Sequence, residues 1–341
     1  MIDVFVKVLL IMAVLLAFII PGFLLKKFNF LDEKASVSLS NILLFVCQPA
    51  LMIDAFCVFS TDNWQRISSI GTTKLLSNFG IVAMISLLAM LAVFAFSKLI
   101  FIKSKNSNKN IYTFIAIFSN CGFLGIPFVK MFTDGDPLAV MYVAVFNVIF
   151  VVLLWTLGVV LITGDAHEIK IKKIVCNPSI ICTFIALLLF FVPQSNVFMI
   201  DELKDLQILP QYLSYMNAPL SMIIVGIRLA SIRPKTLFCS GEIYVASLLR
   251  LFVAPLVTFG VALLAFLCFG QDVMDMGGEY VFLAPVVAMA MSPAASIVAI
   301  SERYGADTNQ ATAAFLNGTL ISVVVIPLTI TAILSMWELL V

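Results

Sequence analysis

Two stretches of the sequence carry the residue types from which a binding site at membrane depth is built. The first is Ser119-Asn120-Cys121-Gly122-Phe123-Leu124-Gly125-Ile126-Pro127, and the second is Met291-Ser292-Pro293-Ala294-Ala295-Ser296. Each interrupts an apolar run with the glycines and prolines that end helical continuity. Pro127 suits the start of a new helix, and Ser292-Pro293 reads as an N-cap followed by a proline just inside a second half-helix. A helix that begins at midplane offers free N–H groups and the positive end of its dipole. That end suits an anion, above all a carboxylate, at roughly 0.3–2 kcal/mol per terminus. The amide of Asn120 and the hydroxyl of Ser292 add hydrogen-bonding groups. Asn120, Gly122, Gly125, Pro127, Ser292, Pro293 and Ala294 are therefore the first candidates for substrate binding. Taken singly, either break reads as a kink between packed helices; two in corresponding places read as a site.

Other polar residues lie inside apolar runs. Gln48-Pro49 and Asn217 with Pro219 either line the same cavity or act as packing glue between helices. Asn147 and Asn317 are expected to support the breaks from the neighbouring helix. Asp54 and Arg228 fall near the ends of runs, where snorkelling explains them cheaply. Arg250 lies deeper, where an arginine costs at least roughly 2.5–3.5 kcal/mol, so it must face a partner or a cavity that the sequence does not name.

Catalytic and metal chemistry find little to work with. The one histidine, His167, sits beside Asp165 and Glu168 in a polar loop. The seven cysteines (Cys47, Cys57, Cys121, Cys176, Cys182, Cys239 and Cys268) stand singly in apolar runs and read as packing residues. Paired intramembrane carboxylates and a Ser–His arrangement are both absent from the sequence. No metal, no cofactor and no nucleic-acid partner is expected.

The elements that must position these residues follow from hydropathy. Hydrophobic residues make up 62% of the 341 positions and charged residues 11%, with a mean hydropathy of +1.13. Soluble domains sit near ~45–50% apolar and ~25% charged, so the lipid bilayer must be the solvent of this chain. A spanning helix needs about 20 mostly apolar residues. Ten runs qualify: 4–25, 37–59, 75–97, 111–133, 138–162, 176–193, 211–231, 241–269, 280–301 and 308–337. The first is long, lacks a small-residue cleavage site and ends in Lys26-Lys27, so it reads as a membrane helix that stays. Fourteen lysines and arginines fall in loops after odd-numbered runs, among them Lys103, Lys105, Lys170, Lys173 and Arg303, against five on the other side. Because cytoplasmic loops carry the basic excess, both termini are expected to face outside.

Landmarks recur at a nearly constant offset. Pro21 maps to Pro193, Pro49 to Pro219, Asp136 to Asp307 and Asn147 to Asn317, 170 to 172 residues apart. The two interrupted runs, fourth and ninth, also correspond. Five runs per copy is odd, so the second copy enters the membrane from the opposite side. The expected fold is thus an all-α polytopic membrane protein of ten transmembrane helices, with repeats at 1–170 and 171–341. Inverted repeats with paired broken helices are a recurring architecture of secondary transporters.

At these breaks the sequence resembles the auxin efflux carrier family, especially its bacterial members. The resemblance rests on Asn120-Cys121-Gly122-Phe123-Leu124-Gly125-Ile126-Pro127, on Gln48-Pro49-Ala50, and on Ala218-Pro219-Leu220-Ser221 with Gly226. It continues through Ser292-Pro293-Ala294-Ala295 and Tyr304-Gly305-Ala306-Asp307, and it covers essentially the whole chain. It implies a homodimer in a bacterial cytoplasmic membrane, with spans one, two, six and seven as a scaffold. Spans three to five and eight to ten would form a transport domain whose broken helices, four and nine, cross. It also implies small organic-anion substrates, such as malate or malonate in bacteria and indole-3-acetate in plants. The long cytoplasmic loop of many plant members is missing, since 163–176 is short.

The leading expectation is a carrier of a small organic anion that alternates access by an elevator-like movement. A sodium-coupled symporter of the bile-acid type is the second. It would need acidic and amide side chains at the crossing, and the breaks offer Asn120 and Ser292 but no acid. An intramembrane enzyme is a remote third.

Overall fold

In chain order the principal helices are α1 (Ile2–Lys27), α2 (Ala35–Cys57), α3 (Thr72–Phe101), α4 (Lys109–Ile117), α5 (Cys121–Phe132) and α6 (Pro137–Thr163). They continue as α7 (Pro178–Phe191), α8 (Asp205–Ser231), α9 (Gly241–Gly270), α10 (Glu279–Ala290), α11 (Ser296–Arg303) and α12 (Thr308–Leu340). The computed structural model describes residues 2–57, 61–104, 106–169, 172, 175–192, 198, 200, 203–238, 240–273 and 278–341. Pro193, Cys239, Lys105, Lys170 and Lys173 lie outside the described residues, as do the side chains of Lys34, Arg66 and Lys204.

Among the described residues, seven helices (α1, α2, α3, α6, α8, α9 and α12) are long and apolar enough to cross a bilayer. The fourth and ninth apolar runs fall short because each is split, into α4 and α5 and into α10 and α11. The sixth is short in itself: the 14 residues of α7 rise only about 21 Å against a hydrocarbon core of about 30 Å. Large apolar side chains such as Phe184, Leu264, Leu267 and Leu328 are exposed on the outer surface, as a lipid-facing surface requires. This is a polytopic, all-helical integral membrane protein.

Helix starts follow side-chain chemistry. Asp136 caps α6, its carboxylate accepting from the Leu138 and Ala139 N–H groups at 2.9 and 3.4 Å, with Pro137 in the first helical position. Asp307 does the same for α12, accepting from the Gln310 N–H at 3.0 Å. Each cap follows a glycine at positive φ, Gly135 (+84°) and Gly305 (+68°), which turns the chain sharply out of the preceding half-helix. One landmark pair read from the sequence, Asp136 and Asp307, therefore does the same local work.

The helices pack in two groups. α1 lies against α8, and α2 against α7 and α8. Gly22 and Gly226 permit the first contact: a Cβ on Gly22 would overlap the Ile223 carbonyl oxygen, and one on Gly226 that of Ile19. The second group joins α9 to α3, α10 and α12, and α6 to α3 and α10. α1 also touches α12, and α2 touches α6. The two split helices sit in the second group.

Candidate functional site

The two breaks meet. Past Ile117 the helix gives way to non-helical chain over 118–120, and past Ala290 over 291–294, with Phe118 and Met291 extended. These segments run antiparallel. The Asn120 N–H donates to the Ser292 carbonyl at 2.7 Å, the Ala294 N–H donates to the Phe118 carbonyl at 2.9 Å, and Ser119 pairs with Pro293. Unwound backbone buried in protein must satisfy itself, and here each break satisfies the other.

This pairing corrects the expected role of Ser292 and Pro293. Ser292 is not an N-cap: its carbonyl serves Asn120, and α11 starts at Ser296 without a side-chain cap. Pro293 lies in the non-helical segment, its ring packed against Gly318. The first break also ends earlier than the sequence suggests. α5 opens at Cys121 with a wide π-type turn over Cys121–Gly125, and Pro127 lies within the first turn of the regular helix that follows. The Asn120 carbonyl accepts from the Leu124 and Gly125 N–H groups at 3.0 and 3.1 Å, which locks the break to the start of the new helix.

A cavity of about 240 Å³ opens beside the crossing. Ser119, Asn120, Gly122 and Phe123 line it from the first break, and Ala294, Ala295, Ser296 and Arg303 from the second. Asn41 and Gln48 of α2, Asn147 and Trp155 of α6, and Asn177 before α7 complete its polar and aromatic wall, with Phe45, Phe150 and Leu154 between them. Both half-helix N-termini therefore reach this space, although in α11 the Ile297 and Val298 N–H groups already donate to the Ala294 and Ala295 carbonyls at 3.4 and 3.3 Å. Among the described residues the lining holds no aspartate or glutamate, and one cation, the exposed Arg303, sits among it.

In its wall, several polar atoms are buried without a protein partner, Asn120 Nδ2, Gln48 Oε1 and Ser296 Oγ; Ser292 Oγ is likewise unpartnered, but Ser292 does not line the cavity. Buried amides are ordinarily satisfied, so an unpartnered donor beside a cavity marks a place where a ligand completes the bonding. Gly122 keeps that place open. A Cβ there would stand 2.6 Å from Gln48 Nε2 and 2.7 Å from Asn147 Oδ1, so any side chain would push both amides off the break. Asn147 accepts from the Cys121 thiol at 3.4 Å.

The remaining candidates are placed elsewhere. Gly125 packs on Met291. Asn217 is buried between α2 and α8, donating to the Cys47 and Ser214 carbonyls at 2.9 and 3.1 Å, beside the buried Pro49 of α2 and the half-buried Pro219 of its own helix. Asn317 accepts from Ser247 Oγ at 2.8 Å and donates to the Leu237 carbonyl at 3.0 Å. Neither Asn217 nor Asn317 lines the cavity. Among the cysteines, Cys47, Cys57 and Cys121 are buried, whereas Cys176 and Cys268 are exposed rather than packed.

Two charged residues find partners that sequence did not name. Asp54 is not snorkelling at a span end: it is buried, 2.9 Å from Lys130 Nζ, and it accepts from Ser214 Oγ at 2.7 Å. Arg250 is fully buried, and its guanidinium donates to the Ala116 carbonyl at 3.0 Å, the Ile117 carbonyl at 2.7 Å and the Met289 carbonyl. Those are the last carbonyls of α4 and α10.

Among the described residues, seven helices of bilayer-crossing length packed around two broken ones, with a polar cavity beside the breaks, define a polytopic membrane protein. A family model described as membrane transport protein matches residues 5–330, nearly the whole chain, and the chain belongs to that family, the one that includes the auxin efflux carriers. It is a membrane transporter, from a family of carriers rather than enzymes. Comparison with curated proteins finds no match.

Proposed function

We propose that the protein is a secondary carrier of a small organic anion, a carboxylate, held between the two half-helix N-termini and moved by elevator-type alternating access. The observation that carries this reading is the chemistry of the cavity at the crossing. It presents the unpartnered Asn120 Nδ2, two positive helix ends and Arg303, with no carboxylate among the described residues of its lining. An anion there gains donors that the empty protein leaves unused, whereas a cation would meet two positive helix ends and Arg303.

The ten-span, inverted-repeat architecture belongs to this proposal, and the matching caps at Asp136 and Asp307 support it. So does the grouping of α1, α2, α7 and α8 apart from the helices around the crossing, which suits a scaffold and a transport domain. The cavity wall includes Asn41, Asn177 and Arg303, all on the side that the basic loops assign to the cytoplasm, with both chain ends outside. The protein would thus be held in an inward-facing form, as a homodimer in the cytoplasmic membrane.

Proteoliposomes containing the purified protein should accumulate labelled carboxylate above protein-free controls. Malate, malonate and indole-3-acetate form the first panel, each competed by unlabelled anion. Uptake of none of them, with cationic and neutral solutes carried instead, would refute the anion reading.

A further inference from the structure

Four helix ends converge at the crossing, and the two that face away from the cavity are negative. The last carbonyls of a helix lack intrahelical partners and carry the negative end of its dipole. In carriers with discontinuous helices, such carbonyl ends are where a coupling cation is coordinated. Here they are already occupied: Arg250 donates to Ala116 and Ile117 at the end of α4 and to Met289 at the end of α10.

The geometry calls for arginine. A planar guanidinium can serve acceptors on two helices at once, where a lysine ammonium offers a single point of charge. Arg250 sits in a wide π-type turn over Leu249–Val253, a feature frequent at functional positions in helices. Its charge has no acidic partner. Among the described residues the one buried carboxylate is Asp54, which Lys130 holds, and no metal-binding cluster of histidine, cysteine or acid occurs.

We propose that Arg250 stands where a coupling cation would bind, as a tethered internal cation, so that transport proceeds without sodium. A sodium ion at these carbonyls would compete for lone pairs already in use, beside a fixed positive charge. Arg250 is a positioning residue: it touches the two first half-helices, not the cavity lining, and it holds the break that presents Asn120. This inference rests on the crossing being the transport site proposed above.

The test has three arms. Wild-type proteoliposomes should take up carboxylate equally when sodium is replaced on both sides by N-methylglucamine; loss of uptake on removing sodium overturns the proposal. Arg250→Ala should lose at least about tenfold in uptake, the scale of one hydrogen bond to a charged group. Millimolar guanidinium should restore part of that uptake, and urea, its neutral isostere, should not. Undiminished uptake by Arg250→Ala, or no preference for guanidinium over urea, also overturns it. Should that variant fail to fold, Arg250→Lys keeps the charge and must transport without sodium; sodium dependence acquired by this variant counts against the proposal. The third arm measures the Tm of purified wild type in sodium chloride and in N-methylglucamine chloride at equal ionic strength. Equal values are expected, and a sodium-specific rise refutes a filled cation site. Should wild type carry no carboxylate at all, the anion reading fails, while this last arm still decides the fate of the cation site.

Discussion

Asn120→Ala should separate binding from stability in a way few buried polar substitutions do. In most cores, removing a buried amide leaves its former partner unsatisfied and costs about 1–3 kcal/mol of stability. Asn120 Nδ2 has no partner within the protein, so its loss leaves nothing behind. The bonds that fix the break are made by backbone, from the Asn120 N–H to Ser292 and from Leu124 and Gly125 to the Asn120 carbonyl, and alanine keeps all three. The Tm of the variant should therefore equal or slightly exceed that of wild type. Substrate affinity should fall by about 1.5–3 kcal/mol, the range for a hydrogen bond to a charged group, which is roughly 10- to 150-fold in Kd. Asn120→Asp keeps the shape but replaces the donor with an acceptor that ionises readily beside two helix N-termini. It should melt at least as high as wild type and bind carboxylates more weakly than Asn120→Ala. Calorimetric titration with the carboxylate panel on folded, purified variants, alongside melting curves, gives both quantities. If Asn120→Asp melts normally and binds as tightly as wild type, the site has been misplaced. A fall in Tm for both variants would make Asn120 structural instead.

Three further outcomes follow from other contacts. Gly122→Ala drives a Cβ into Gln48 Nε2 and Asn147 Oδ1 and should cost about 1–3 kcal/mol as overpacking, together with most of the carboxylate affinity; an unchanged Tm and Kd would show that the two amides are free to retreat. Asp54→Asn removes the ion pair that ties α2 to α5 through Lys130, whose side chain is 29% exposed. It should lower stability by about 1–3 kcal/mol, between the limits for exposed and buried pairs, as read by chemical denaturation. In a cysteine-free background, an impermeant maleimide added outside should label Leu340→Cys and leave Lys103→Cys unlabelled; the reverse pattern would invert the topology.

What the sequence disclosed was whatever leaves a mark on residue type close by in the chain. Apolar length marks the long helices. Asp136 and Asp307 stand out as landmarks at a constant offset, and the Gly-rich phrase at Asn120–Pro127 declares a break. What stayed hidden depends on residues distant in sequence whose side chains carry no signal. The acceptors of Arg250 are backbone carbonyls 134, 133 and 39 residues away, and Ala116, Ile117 and Met289 look like any other members of an apolar run. Asp54 read as a span-end residue because its partner, Lys130, lies 76 residues on, at the far end of a half-helix whose path could not be known before the break was placed. Ser292-Pro293 misled for a different reason. Its composition fits an N-cap equally well, and only the competing claim of the Asn120 N–H on the Ser292 carbonyl makes the segment non-helical.

The electrostatic logic of the crossing explains why one buried arginine can coexist with an anion site and no acid. Two broken helices that cross present two negative and two positive ends within a space where dipoles are poorly screened. Left bare, the negative ends would bind cations and the positive ends anions, and the site would have no preference of its own. Arg250 bonds the carbonyls of Ala116, Ile117 and Met289, cancelling one pole with a charge that cannot dissociate. The other pole opens at Gly122 and Ser296 onto a cavity with no carboxylate among the described residues of its wall and an unpartnered Asn120 amide. Only that pole is left to be completed from solution, and in the proposed function an anion completes it. The apolar flank of Phe45, Phe123, Phe150, Leu154 and Trp155 then has the remaining part of the decision, since it desolvates whatever body the carboxylate carries and rewards an apolar one.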